Sequence, residues 1–433
     1  MGLLTMINAP HARDISTDIL ILSNGPGELT TWVYPFLRAL DLSLKSNAKS
    51  NDKFTEGLAK LKPRISIVLS PDQNASGQEP QLAQSFPNVD RVLPPEQFFD
   101  FLLWGKTPQW EWARQGIVIF LGGDQFFTVV IAKRLGYKTL IYAEWEARWY
   151  RWVDGFAVRN QAIASKIPAP LRAKASVIGD LMVDRGGEQP PSNGSKSLRV
   201  CFMPGSKEQK LKIGVPLFVA IADILKQKRP DLELVVPLAP TVTPEALAQY
   251  AQFSFPTPDS DGATAVLVEG NLVTAKGAVI KIHGGFPAHA LISSSQLCVT
   301  TVGANTAELA SLNQPMLVLL PTNVSDIKVA WDGLLGIFAS TPFWGKLIRT
   351  TINSILIDQI KKKGQLLAWP NIWAGKAIVP EIFGVITPTQ IADEILFYLD
   401  HPEELAQMRD RLKEVCGESG AATKLVAMLL KML

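Results

Sequence analysis

Three short loops hold the side chains with the most chemical use. In GGDQ, Gly122 to Gln125, Asp124 follows the apolar run Ile117 to Leu121, and two glycines leave room for a ligand beside it. A carboxylate there can take the proton of a hydroxyl as it attacks a sugar carbon. It can equally cap the helix beginning near Phe126, a place that Asp favours. In PGSKEQ, Pro204 to Gln209, a strand gives way to a helix, so free backbone N–H groups and the helix dipole at Gly205 and Ser206 favour a phosphate, with Lys207 adding charge and Gln209 a polar group. The plain alternative is a strand-to-helix turn with Ser206 as N-cap. TVGANTAELASLNQP, Thr301 to Pro315, repeats the arrangement: Gly303 permits close approach, Asn305 and Thr306 offer polar groups, and Glu308, one turn in, can accept ribose hydroxyls. Capping is again the alternative, but two such loops in one domain argue for a nucleotide diphosphate more strongly than either alone.

Other groups say less. SNGPGE, Ser23 to Glu28, is a glycine-containing first loop, yet it lacks the dinucleotide fingerprint and the P-loop lysine, which weakens NAD and ATP readings. Trp145, Trp149, Tyr150 and Trp152, interleaved with Arg148 and Arg151, can hold a sugar or an acyl chain, or simply form core or interface. His283 and His289 stand near a loop and read as structural rather than as metal ligands. Cys201, Cys298 and Cys416 are far apart and odd in number, so neither a disulfide framework nor a zinc site is expected, and a reducing cytoplasm is.

The elements that must position these loops follow from periodicity. Short β-rich runs at Ile19 to Leu22, Ile65 to Leu69, Ile117 to Leu121 and Thr139 to Tyr142 each lead through a loop toward a helical stretch. Loops leaving the carboxyl ends of strands are where open parallel sheets bind ligands. DRGGEQPPSNGSKS, residues 184 to 197, reads as a linker. The pattern then restarts with Leu198 to Met203, Leu232 to Val236, Leu297 to Thr300 and Met316 to Leu320. The expected architecture is α/β: a Rossmann-like domain over 1–185, a linker over 186–197, a second Rossmann-like domain over 198–386 that carries the nucleotide loops, a cleft between them, and helices over 387–433 that pack back on the lobes.

With 433 residues, two domains are the prior, and a formal charge of +3 is too mild to imply nucleic acid. No run reaches the roughly 18 apolar residues of a spanning helix, and the amino terminus lacks the marks of a signal peptide. The segment from 328 to 363 differs. Lys328, Lys346, Arg349 and Lys361 to Lys363 outnumber Asp332 and Asp358, among Trp331, Phe338, Phe343 and Trp344. Such a mixture suits the headgroup boundary of an anionic membrane, or else a buried or dimer-forming helix pair.

Placed in order, these stretches resemble the lipid-A-disaccharide synthase family, inverting and metal-independent transferases of the GT-B fold that use a UDP-acylated glucosamine donor. The resemblance rests on MPGSKEQKLKIGVPLFVAIADILKQKRPDLELVVPLA, on LLAWPNIWAGKAIVPEIFG, on TVGANTAELASLNQPMLVLLP and on IFLGGDQFFTVVIAKRLGYKTLIY. It implies a catalytic role for Asp124, an acceptor or catalytic role for Glu28 beside Asn24, Gly25 and Gly27, and Asn371 and Glu381 closing the donor site. Trp145, Arg148 and Trp149 join the acceptor side. A UDP-sugar donor, a lipid-like acceptor at a membrane surface, no further cofactor, no metal and no nucleic acid are the partners implied.

The departures are specific. Lys207 stands where the family has arginine, and an ammonium cannot make the planar two-pronged phosphate contact. Asp180, in VIGDLMVD, stands where the family has histidine, and its SGT triplet becomes VGANT. Two rival readings stay open: a sugar-nucleotide epimerase of the same fold, and a binding or scaffold protein that has lost activity.

Overall fold

A computed structural model describes residues 17–47, 63–72, 75–184, 198–257, 262–322, 366–416 and 420–433. The chain divides into two compact units, Met1–Leu181 with Gly420–Leu433, and Met182–Ser419.

The first unit is built on seven parallel strands: β1 (Asp18–Ser23), β2 (Arg64–Leu69), β3 (Val89–Leu93), β4 (Gly116–Phe120), β5 (Lys138–Ala143), β6 (Gly155–Val158) and β7 (Ala175–Val177). Their order is β3-β2-β1-β4-β5-β6-β7. DILILS and GIVIF are buried along their whole length, as a parallel sheet covered on both faces requires. The helices are α1 (Pro26–Glu28), α2 (Tyr34–Asn47), α3 (Glu79–Gln84), α4 (Phe98–Trp104), α5 (Gln125–Leu135) and α6 (Gln161–Lys166). A π-helical turn, Leu29–Val33, joins α1 to α2. The sheet grows outward from β1 to β3, then returns to lay β4 on the other side of β1. The crevice at the carboxyl ends of β1 and β4 is therefore the topological switch point, and SNGPGE and GGDQ leave those two ends.

The opposite end of β1 is a lock. Asp18 is buried and accepts hydrogen bonds from Arg64 Nε (2.8 Å) and Nη2 (2.9 Å), the Tyr137 hydroxyl (2.6 Å) and the Ala113 N–H (2.8 Å). Burial alone would raise its pKa, but these partners outweigh burial and hold it below the usual aspartate value.

The second unit has eight strands: β8 (Arg199–Met203), β9 (Glu233–Pro237), β10 (Ala265–Val268), β11 (Asn271–Thr274), β12 (Val279–His283), β13 (Leu297–Thr301), β14 (Met316–Pro321) and β15 (Glu381–Gly384). They lie in the order β10-β11-β12-β9-β8-β13-β14-β15, antiparallel only through β10, β11 and β12. Its helices are α7 (Glu208–Lys228), α8 (Pro244–Ala251), α9 (His289–Ser293), α10 (Ala304–Ser311), α11 (Trp369–Ala374), α12 (Pro388–Asp400) and α13 (Pro402–Cys416). From β12 to β15 the order repeats that of the first unit, so the switch point lies between β8 and β13. PGSKEQ and VGANT leave those ends.

Every strand expected from an apolar run is present within a residue or so of its limits. Strands β3, β6, β7, β10, β11, β12 and β15 were not among the runs read from the sequence. The β10–β11 hairpin turns at Glu269 and Gly270, both with positive φ, and Val266 and Val268 face outward. The expected carboxyl-terminal block divides: α12 and α13 stay with the second unit, while the last helix, α14 (Ala421–Met432), packs on α2 of the first. No described helix is long and apolar enough to cross a membrane. The expected membrane contacts, Trp331, Phe338, Phe343, Trp344, Lys346 and Arg349, lie outside the described residues.

Candidate functional site

At the switch point of the first unit lies a cavity of about 260 Å3. Glu28 reaches it from the first turn after β1, Asp124 and Gln125 from the start of α5, Tyr142 from the end of β5, and Glu144, Trp145, Glu146 and Arg148 from the loop after β5. Asn24 and Trp32 complete one wall. Gly122 is required here: its φ is +134°, and a Cβ would stand 2.5 Å from Asn24 Oδ1 and 3.2 Å from Glu28 Cβ.

Asp124 takes the capping place that the sequence offered it, and it also stands at the cavity. Its Oδ1 accepts from Phe126 N at 2.8 Å and caps α5, and the exposed carboxylate borders the cavity. Gln125, not singled out from sequence, clamps the neighbouring loop: its Oε1 accepts from Arg148 N and its Nε2 donates to Glu146 O, both at 2.9 Å. Arg148 pairs with Glu146. Trp145 is half exposed, with the Arg159 guanidinium 4.3 Å from its ring centre.

The other expected acceptor residues serve differently. Gly25 and Gly27 do not line the cavity. Gly27 supplies a carbonyl that accepts from Thr30 (3.0 Å) and Thr31 (2.8 Å), so these glycines shape the helix start carrying Glu28. Trp149 is also corrected: its ring stacks on Trp152 at 5.5 Å and leans on Phe126 at 4.8 Å, packing beside α5 rather than lining the cavity.

The group that sequence reasoning passed over is Glu144. Its side chain is 9% exposed, and Oε1 has no hydrogen-bond partner. Burial, then the nearby charge of Asp180, pushes its pKa up to about 7; Arg159 opposes, Glu28 adds to the rise, and a hydrogen bond with the Trp145 side chain opposes. Asp180, the residue in place of the family's histidine, sits 3.5 Å from Arg159 Nη1 and accepts from the Tyr142 hydroxyl at 3.4 Å.

The second unit's switch point is cationic. Lys207, rather than Ser206, occupies the N-cap position of α7, in extended backbone and with no side chain capping the first turn. Lys207 and Gln209 are exposed, and Gly205 and Ser206 partly so. Three residues on, Lys210 folds back between the two loops. Its Nζ donates to Val302 O at 2.7 Å, and its stem lies against Gly205. Gly303, φ +148°, has no room for a Cβ because the Lys210 ammonium occupies that space. Among the described residues no carboxylate pairs with Lys210. Burial, then the charge of Lys207, lowers its pKa to about 8.

Around it, Asn305 Nδ2 donates to Thr300 Oγ1 at 3.3 Å and lies 3.5 Å from Met203 O, tying β13 to β8. Thr306 is fully buried: it donates to Gly303 O (2.9 Å) and accepts from Trp369 N (3.1 Å). Glu308 is raised by burial, against the effect of His289, whose Nε2 stands 3.6 Å away. Asn371, expected at the donor, is wholly buried. Its amide donates to Val379 O (2.9 Å) and Glu381 (2.6 Å), and its Oδ1 accepts from Ile378 N (2.7 Å) and Val379 N (2.9 Å). Glu381 also accepts from the Leu367 and Ala368 N–H groups. Asn371 has no capacity left for a ligand, and Thr306 is fully buried with its one donor spent, so both are placed to hold loops.

A larger cavity, about 470 Å3, lies at the amino ends of β8 and β9. Glu233 there pairs with Arg199 at 2.7 Å and with Lys281 at 2.8 Å, and the cavity is remote from the strand ends where such sheets bind ligands.

No family model matches the chain. It is 26% identical over 242 residues to a lipid-A-disaccharide synthase of Myxococcus xanthus (strain DK1622), spanning 54% of this chain but only about half, 49%, of that relative. To the lipid-A-disaccharide synthase of Geobacter metallireducens it is 24% identical over 328 residues, 70% of this chain and 71% of the other. Among solved structures, a candidate UDP-N-acetylglucosamine 2-epimerase from Listeria monocytogenes superposes with a TM-score of 0.51 at 13% identity, covering 95% of each chain. That likeness shows the fold: two Rossmann-like α/β units of the GT-B type.

Proposed function

We propose that this chain is an inverting glycosyltransferase that moves a sugar of hexosamine type from a UDP-sugar to a hydroxyl of a lipid-like acceptor. The observation that carries the reading is a matched pair of switch points. One unit seats a cation, Lys210, that no carboxylate of the described residues pairs, between two glycine loops; the other opens a carboxylate-lined cavity at the equivalent place. The sequence similarity to lipid-A-disaccharide synthases supports a transferase and a lipid acceptor.

On this reading the diphosphate lies at the start of α7, where Lys207, Lys210 and the uncapped N–H groups offset the charge that grows on UDP as its bond to the sugar breaks. Those charges take the electrostatic part that a metal ion plays in other transferases. Glu308, partly exposed on α10, is offered to ribose hydroxyls. In the first unit Asn24, Glu28, Asp124 and Arg148 hold the acceptor's polar end, Trp145 presents its ring to a sugar face or an acyl chain, and a cavity carboxylate removes the hydroxyl proton. Binding at a membrane surface rests on the composition of residues 328 to 363. Co-sedimentation with anionic vesicles, reduced when Lys346 and Arg349 are both changed to Gln, is its measurement.

The test is UDP release from a panel of UDP-sugars by the purified chain, with and without a total lipid extract of the cells that make it. Lipid-dependent release is expected, with Asp124→Asn raising the KM for the lipid acceptor while UDP binding is retained. Epimerised UDP-sugar formed without lipid would replace this reading with the epimerase one. No release from any donor would replace it with the scaffold one.

A further inference from the structure

We propose that Glu144 is the residue of this cavity that receives the proton from the acceptor hydroxyl, a role that rests on the transferase reading above.

Four carboxylates border the cavity, and geometry separates them. Glu146 is half exposed and paired with Arg148. Asp124 is exposed and spends one oxygen on the helix cap. Glu28 stands in the first turn of the chain after β1 and is partly exposed. Only Glu144 is enclosed, and its Oε1 has no partner among the described residues. A buried acceptor atom left open costs stability unless something else fills it, and the wall in which it sits is the wall of the cavity. Asn24 Oδ1 and Trp32 Nε1, on the same lining, are likewise buried and unpartnered. Three residues of one cavity lining thus carry a polar atom without a partner among the described residues, and a hydroxyl, which both donates and accepts, is the kind of group that serves them once these side chains turn to it.

The surroundings suit proton transfer as well as binding. The charged and titratable groups around Glu144 are Asp180 after β7, Arg159 after β6, Tyr142 on β5, Glu28 on α1, Asp124 at the start of α5, and Glu146 and Arg148 on its own loop. Arg159 is engaged by Asp180 and Trp145, so the nearest cation does not hold Glu144 permanently ionised. A carboxylate that gains or loses its proton near neutrality has the affinity a general base needs.

In the step itself the acceptor O–H proton passes to the Glu144 carboxylate, and the electron pair left on oxygen forms the new bond to the sugar's anomeric carbon. The bond from that carbon to the β-phosphate oxygen breaks, its pair leaving with UDP. Glu144 then gives its proton to water. Asp124, with its free oxygen at the rim, holds the acceptor in place.

The experiment is UDP release with UDP-N-acetylglucosamine and the other UDP-sugars of the panel plus lipid extract, from pH 5 to 9, for wild type, Glu144→Gln and Glu144→Asp, with UDP affinity measured on each. Expected is a wild-type kcat/KM that climbs with pH through about 7. Glu144→Gln loses that limb and at least ~100-fold in rate while keeping its UDP affinity. Glu144→Asp, a carboxylate drawn back by one methylene, keeps a limb at a reduced rate. Glu144→Gln within threefold of wild type would overturn the proposal and leave the transferase reading intact. Should Glu144→Gln fail to fold, an Asp variant with unchanged rate would overturn it equally. Absence of turnover in wild type with every donor would remove the transferase reading and this proposal with it.

Discussion

Replacing Glu144 by Gln should make the protein more stable at pH 8, and the size of the gain follows from its burial. The folded pKa of about 7 against an ordinary 4.5 is a difference of ~2.5 units, worth about 3 kcal/mol at 1.36 kcal/mol per unit. The sign is set by which state ionises first. Below pH 4.5 both states carry the proton and the group is neutral to stability. Between about 4.5 and 7 the unfolded chain sheds its proton while the folded chain holds it, so stability falls with rising pH, and above 7 the full loss is in place. Glutamine keeps the shape and the oxygen facing Trp145 but has no proton to lose. Thermal melts followed by tryptophan fluorescence suit the test, because Trp32, Trp104, Trp110, Trp112, Trp145, Trp149 and Trp152 all lie in the first unit. The variant and wild type should melt together near pH 4.5 and separate by roughly 6–10 °C at pH 8, at the few degrees per kcal/mol usual for a unit of this size. Parallel curves across that range would mean that Glu144 is solvated, and the argument from its burial would fail.

Three further outcomes are expected. Phosphate near Lys210 should restore its lowered pKa, so UDP binding should take up a proton near pH 8 to 9; calorimetry in buffers of different ionisation heat should show this, and Lys210→Met should abolish it with ~10- to 100-fold weaker UDP binding. Asp18→Asn should cost about 3–5 kcal/mol at pH 7 by stranding Arg64. Because the folded pKa of Asp18 is depressed, that stabilisation is present above the ordinary value of 3.8 and should vanish as pH falls below it, which acid melts of both proteins would reveal. Asp124→Ala should lose about 1 kcal/mol in a thermal melt that Asp124→Asn keeps, since Asn caps α5 as well as Asp does; equal melts would mean that the cap contributes nothing.

The centres of both sheets were legible because β1, β2, β4, β5, β8 and β13 are short, mostly apolar runs without a helical period, as a doubly covered parallel strand requires. The loops at the switch points were legible through Gly122, Gly205 and Gly303. Strand β3 was not, because Asp90 and Arg91 interrupt it. Arg91 is there for the tryptophans: its guanidinium lies 4.2 Å from the Trp110 ring centre and 4.6 Å from that of Trp112. Within the sites, residue type was legible and burial was not. AEWEARW offers Glu144 and Glu146 on equal terms, and only packing against Tyr142 and Asp180 makes one an enclosed acid and the other a solvated ion pair. The same holds for Lys207 and Lys210 in KEQK. The resemblance led to Asn371 as a ligand contact, whereas its four hydrogen bonds make it a brace for the loop before β15. No local pattern marks that difference, because the partners lie seven to ten residues away.

The return of α14 to the first unit has a consequence for how this protein is made. Lys138 bonds the Met432 carbonyl, and Met432 Sδ would stand 3.0 Å from a Cβ at Gly155, so the helix is fitted against β5 and β6. During translation β1 to β7 leave the ribosome with that face bare and stay so until all of the second unit has been synthesised. Truncation before Ala421 therefore bares a face of the first unit while α12 and α13 stay with the second, so its cost should fall on the first unit alone.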